Sequence, residues 1–217
     1  MDKVSNKLNH YDVSEVIDTF DITKIFDCAI LKTWLSNNTG VIKASYQDIL
    51  EDARMVLLRK WDEWNEEELK MNFISLVILA AQIEEPNRIN TYFERRLSGD
   101  VENTNISVVV DFMIASPMKS GRPKTPYFFM QEFKRSLGDT HDPEGQMLAA
   151  MILAQELNKN NQPLYGSWIQ GKIWYFTVLN GKDYCVSQSF DAADKNDLSQ
   201  IVFILRHLKM LILNDLN

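Results

Sequence analysis

The sequence predicts a mixed α/β domain, and two observations carry that expectation. Through the first half, apolar residues recur at helical spacing between polar breaks. After residue 100 the period shortens to β-branched runs bounded by turn residues, interrupted by one helical stretch and closed by another. The expected order is helices, two strands, a helix, further strands and a last helix.

Residues 11–36 carry apolar residues at mixed helical spacing and end in AILKTWLSNN, where Asn37, Asn38 and Gly40 mark a break. In SYQDILEDARMVLLRKWDEW, Ser45 with Asp48 has the look of a capping box, and Ile49, Ala53, Val56 and Leu57 form one stripe. The next helix opens on Asn65 as N-cap with Glu66, Glu67 and Glu68 in its first turn, where carboxylates oppose the positive end of the helix dipole. Pro86 is its expected end. ISVVVDFMIA then reads as a strand, SPMKSGRPKTP as a hairpin loop, and YFFMQEFKR as the returning strand. Residues 138–145 form a polar loop before the helix QMLAAMILAQELNKNN. Strands follow, with turns at Gly171–Lys172 and Asn180–Gly181, and DLSQIVFILRHLKMLILND is a final amphipathic helix. No internal repeat or Pro/Gly linker divides the chain. Residues 1–60 are expected to be a helical region packed on one compact unit, residues 61–217.

The 217 residues are enough to bury a sizeable core, and 45% apolar with 24% charged residues is ordinary for a globular protein. A formal net charge of -7 argues against a general nucleic-acid binder, although a local basic patch can act inside an acidic chain. Cys28 and Cys185 are too few for a disulfide framework or a zinc set, and their apolar flanks predict buried free thiols. MDKVSNKLNHYD has no apolar signal region, and FISLVILAA is about half the length of a membrane span. A cytoplasmic protein with no membrane association is expected.

Asp111 interrupts VVVDFMIA, whose flanking valines predict a strand buried on both faces. A buried carboxylate costs several kcal/mol unless paired or metal-bound, so Asp111 needs a partner. An ion pair with Arg or Lys, or a place on an edge strand, would satisfy it. The returning strand offers another solution. Alternation sets Phe128, Met130, Glu132 and Lys134 on one face, and hairpin pairing would bring Glu132 beside Asp111. Two carboxylates at that range require a shared proton or a cation. With oxygen ligands alone, that cation is Mg2+. A lysine alongside can hold a water or phosphate oxygen and offset developing negative charge. The E-x-K spacing by itself is uninformative, since Glu68-Leu69-Lys70 repeats it within a helix.

An Asp in an apolar strand, a loop, Glu132-Phe133-Lys134 in a second apolar strand and then a helix together resemble the PD-(D/E)XK nuclease superfamily, over roughly residues 60–190. The proline that precedes the family's Asp is Val110 here. Glu68 matches the glutamate that many members carry on the preceding helix, with Glu67 as the alternative register; plain helix capping explains them equally well. Gln146 resembles the glutamine of the recombination-nuclease branch, although that branch's tyrosine is replaced by Ala150. The resemblance implies a restriction-endonuclease-like sheet flanked by helices and metal-dependent hydrolysis of a phosphodiester. Asp111, Glu132 and the Phe133 carbonyl would hold Mg2+ or Mn2+. Lys134 would orient or help activate the attacking water, and Glu68 would bind a second metal or a metal-bound water.

DNA is the expected substrate. Lys119, Arg122 and Lys124 of the hairpin loop, or Arg88, Arg95 and Arg96, could meet phosphates; the plainer reading is a solvated loop. His141 in GDTHDPEG is expected to be merely exposed. Trp61, Trp64, Trp168, Trp174 and Tyr175 are expected in packing rather than on a base-stacking platform. The apolar last helix could serve a homodimer or a larger complex. The alternatives to a nuclease are a non-catalytic nucleic-acid- or protein-binding module on the same fold, acting as a subunit of a complex, and a scaffold protein of unrelated α/β fold.

Overall fold

A computed structural model describes residues 6–7, 11–36, 40–136 and 142–216. Among these residues it is a mixed α/β structure: a nine-stranded sheet with helices on both faces. The long strands are β3 (Asn90–Val101), β4 (Thr104–Pro117), β5 (Pro123–Lys134), β6 (Leu164–Gln170) and β7 (Ile173–Asn180). Short strands β1 (Asn6–Lys7), β2 (Thr23–Lys24), β8 (Asp183–Val186) and β9 (Phe190–Asp191) extend it. β3, β4 and β5 are antiparallel neighbours, and β5 pairs parallel to β6. Parallel neighbours need a crossover, and α6 (Pro143–Asn158) supplies it.

One face of the sheet carries α1 (Val13–Phe20) and α6. The other carries α2 (Ala29–Ser36), α3 (Ala44–Lys60), the run from α4 (Glu66–Leu69) to α5 (Ser75–Ala81), and α7 (Lys195–Asp215). Trp34 of α2 is fully buried at the centre of the second layer. Its indole N–H donates to the Ile204 carbonyl, and its ring meets Phe129, Tyr165 and Phe176 edge-on. Residues before position 60 thus supply part of the main core.

Several expectations need correction. The expected order has no strand before ISVVVDFMIA, yet NTYFERRLSGDV is a full strand, so Arg95 and Arg96 lie within the sheet. The Ser45–Asp48 capping box does not form, because α3 is capped at Lys43 without a side-chain bond. The α5 run ends at Ala81, with Gln82 in the left-handed region, before Pro86. The second hairpin turn lies at Gly181–Lys182, one residue later than expected. Phe128 does not share a face with Met130. A bulge between Ile114 and Ala115 in the β4–β5 pairing sends Phe128 to the α7 side, while Met130 stays on the α6 side. His141, Asn37 and Asn38 lie outside the described residues.

Ile49 is exposed, so the buried stripe of α3 is Leu50, Ala53 and Leu57, and exposed Val109 means that β4 is not covered on both faces throughout; the remaining packing expectations hold. Asn65 caps α4, accepting from the Glu68 N–H. Trp64 and Trp174 are buried, Trp61 packs against the core, and Trp168 stacks on Tyr175 at 3.9 Å. Cys28 and Cys185 are buried free thiols, though not apart. Burial, then Cys28 beside it, pushes the Cys185 thiol up to about 12. No helix among the described residues is long and apolar enough to cross a membrane.

Candidate active site

The β4–β5 register decides the geometry. Phe112 pairs with Gln131, so one further step along the same register sets Asp111 opposite Glu132. The two are buried, at 6% and 2% exposure, and Lys134 is at 9%. The Phe133 backbone N–H, between Glu132 and Lys134, donates to Asp111 Oδ2 at 3.0 Å. A strand residue's N–H and C=O point to the same edge, so the Phe133 carbonyl also faces the β4 side.

The electrostatics follow from this enclosure. Burial first, and then the charge of Asp111, push the Glu132 carboxyl well above the usual carboxylate range. Burial also raises Asp111, against the Phe133 N–H and the Lys134 charge, which lower it. Without a cation between them, the pair is best served by one proton held on Glu132 and donated to Asp111. Burial lowers Lys134, but Asp111, Glu66 and Glu132 outweigh it and raise the group, so Lys134 stays an ammonium ion.

The helix glutamate that reaches this cluster is Glu66. Both its carboxylate oxygens lie 3.4 Å from Lys134 Nζ. Glu68 is engaged elsewhere. Its carboxylate accepts the Asn65 N–H at 2.9 Å and closes a reciprocal capping box, the plainer of its two expected roles. Glu67, the alternative register, bonds Lys70. Helix phase explains the shift: Asn65-x-x-Glu68 points back along the cap, which leaves Glu66 to face β5.

Gln146 lies in the first turn of α6 at the same end of the sheet. The neighbouring Met147 packs over Gly166, the partner of Met130, while Asn158 at the far end of α6 bonds Tyr127. Gln146 Oε1 is buried without a hydrogen-bond partner among the described residues, so no hydrogen bond joins that oxygen to Asp111, Glu132 or Lys134. Trp168 pairs with Glu132 across β5–β6 and borders the site, a neighbour that the sequence does not reveal.

The basic residues divide. Lys124, paired with Ser116, and the turn carrying Lys119 and Arg122 lie at the tip of the β4–β5 hairpin, at least five residues from Asp111, or about 17 Å along an extended strand. Arg95 and Arg96 are closer, opposite Val110 and Val109, and both are exposed. Arg88 instead donates to the Leu213 carbonyl. A cleft of about 580 Å3 lies at the other end of α6, lined by Glu102, Gln155, Lys159 and Lys182, and includes none of the site residues.

The donor set can be tested against a divalent cation. Among the described residues no group of three His, Cys, Asp or Glu side chains is placed to hold a metal ion. The site offers two facing carboxylates and a backbone carbonyl on the same edge. Glu132 Oε1 is buried with no hydrogen-bond partner among the described residues, as are Gln131 Oε1 beside it in β5 and the Trp168 indole N–H across β6, so unmet bonding capacity gathers at this end of β5. A hard cation between Asp111 and Glu132 would satisfy the Glu132 oxygen and remove the repulsion, so the residues fit Mg2+ or Mn2+.

The turn after β6 buttresses this end of β5. Gly171 has φ +59, its N–H donates to the Lys134 carbonyl at 2.8 Å, and a Cβ there would lie 2.7 Å from Ser136 Cβ. Gly171→Ala is expected to lower stability by about 1–2 kcal/mol, the cost of a side chain in left-handed backbone, read as a lower urea midpoint. An unchanged midpoint would show that the turn relaxes freely.

The chain matches no protein-family model, and comparison with curated proteins finds no match.

Proposed function

We propose that the chain is a divalent-metal-dependent nuclease of restriction-endonuclease-like arrangement, acting on DNA in the cytoplasm. The observation that carries this reading is the apposition of Asp111 and Glu132 in one register, beside an ammonium group at Lys134. Asp111, Glu132 and the Phe133 carbonyl would hold Mg2+ or Mn2+. Bound there, the cation supplies Lewis-acid polarisation of the scissile phosphate. Lys134, kept charged, acts as an electrostatic and orienting group rather than as a base: its ammonium donates to a water or phosphate oxygen and offsets developing charge. Glu66 restrains that ammonium from the helix side. In the overall reaction the water oxygen forms a bond to phosphorus, the bridging P–O bond breaks with its electron pair going to the departing oxygen, and that oxygen takes up a proton supplied overall by the water. Arg95 and Arg96 are the cations best placed to meet flanking phosphates.

A second reading is a non-catalytic module, a subunit of a larger complex, and the depth of burial of Asp111, Glu132 and Lys134 favours it. Cleavage decides between them. Plasmid and single-stranded DNA are incubated with the protein in Mg2+ or Mn2+, beside Lys134→Ala. The nuclease reading expects cleavage by the wild type and a loss of at least about 100-fold in the variant, the scale of removing one charge-stabilising donor. No cleavage by either supports the binding module; equal cleavage by both means that the activity does not reside in this site.

A further inference from the structure

Opposite Asp111, on the strand side away from Glu132, the structure holds a second irregularity. β3 pairs with β4 through Phe93 with Phe112 and Arg95 with Val110, which sets Glu94 across from Asp111. No ladder pair joins these two, and Glu94 has φ 51. Alternation changes phase at this step in both strands. Ile106, Val108 and Val110 enter the α6-side core, then Met113 and Ala115 do, while Phe112 and Ile114 enter the opposite core. In β3, Tyr92 enters the α6-side core and then Leu97 and Val101. A glutamate in left-handed backbone costs about 1–2 kcal/mol and persists only where its surroundings hold it.

What holds it is Lys70. This lysine is 7% exposed, and its Nζ donates to Glu94 Oε1 at 2.8 Å and to Glu67. The ammonium also lies 5.9 Å from the ring centroid of Phe133, the residue whose N–H binds Asp111. Lys70 opens a π-helical turn, Lys70–Ile74, inside an otherwise α-helical run, a local rewinding that often marks functional positions. The helix carrying Glu66 is thereby tied to the strand position facing Asp111.

We propose that Lys70 and Glu94 are positioning residues of the Asp111–Glu132 site, their ion pair fixing the phase change of β3 and β4 that presents Asp111 to Glu132. This rests on the reading of that site as a divalent-metal centre. An ion pair serving stability alone has no need of a strained glutamate, since a regular β3 with an apolar residue at 70 would pack without burying an ammonium.

The test is Mn2+ binding to the full chain, followed by the paramagnetic resonance of free Mn2+, with thermal melts run in parallel. Glu94→Gln and Lys70→Met are expected to weaken Mn2+ affinity about 10–100-fold, the usual effect of removing a group that orients a metal ligand. Lys70→Arg, which keeps the charge between Glu67 and Glu94, is expected to restore most of the affinity. If Lys70→Met fails to fold, Glu94→Gln carries the test, because it preserves shape. Wild-type affinity in folded Glu94→Gln overturns the proposal and leaves the metal site standing. A wild type that binds no Mn2+ overturns both.

Discussion

Glu132→Gln is expected to make the metal-free protein more stable while abolishing cleavage. The two effects share one cause. Glu132 is buried against Asp111 with one oxygen unpartnered, and its carboxyl is raised well above the usual range, by burial first and by Asp111 second. A carboxyl raised in the folded state contributes stability that is fully present below its unfolded value and lost as pH rises through its folded value. Wild-type stability should therefore fall with rising pH across that window. Glutamine cannot ionise, and its amide can donate to Asp111 as the protonated acid does. The variant should match the wild type in acid and exceed it increasingly as pH rises, by about 1–3 kcal/mol, the scale of one relieved buried polar group. Urea unfolding in the presence of a chelator, from acid to mildly alkaline pH, measures the difference. A variant less stable than wild type at every pH would mean that Glu132 is a structural partner and not a strained one.

Trp34→Ala is expected to destabilise the chain by about 3–5 kcal/mol, the range for truncating a large buried aromatic. Trp34 is fully enclosed, and its neighbours Phe129, Tyr165 and Phe176 lie on three successive strands of the sheet. The indole N–H bond to Ile204 at 2.9 Å would also be lost, leaving a buried carbonyl with one partner fewer. The effect should appear as a large drop in the denaturant midpoint. A loss below about 1 kcal/mol, the usual limit for tolerated surface changes, would show that the N-terminal helices are dispensable to the core.

The centre of the site was legible because it breaks a pattern. Asp111 is an acid inside VVVDFMIA, and Glu132 and Lys134 are charges ending an apolar face. Hairpin pairing then brings them together, helped by a phase change at Asp111 that alternation alone does not foresee. Elements whose period is disturbed were not legible. β3 hid behind the charges of Glu94, Arg95 and Arg96, whose solvent-facing run does not read as a strand. Phe128 was set on the wrong face because a bulge adds one residue to the count. Glu66 and Glu68 are two positions apart on one helix, and a helical pattern cannot say which faces a strand 68 residues away. Lys70 was visible only as a spacing that repeats E-x-K; its partner Glu94 is 24 residues on, and the π turn that aims it leaves no local signature.

The proposed site requires Asp111 and Glu132 to hold one divalent cation together. Calorimetric titration of Mn2+ into the metal-free chain, beside Asp111→Asn, tests it most directly. Binding by the wild type with a stoichiometry near one is expected, and its loss in Asp111→Asn while that variant remains folded. No binding by the wild type, or equal binding by both, would contradict it.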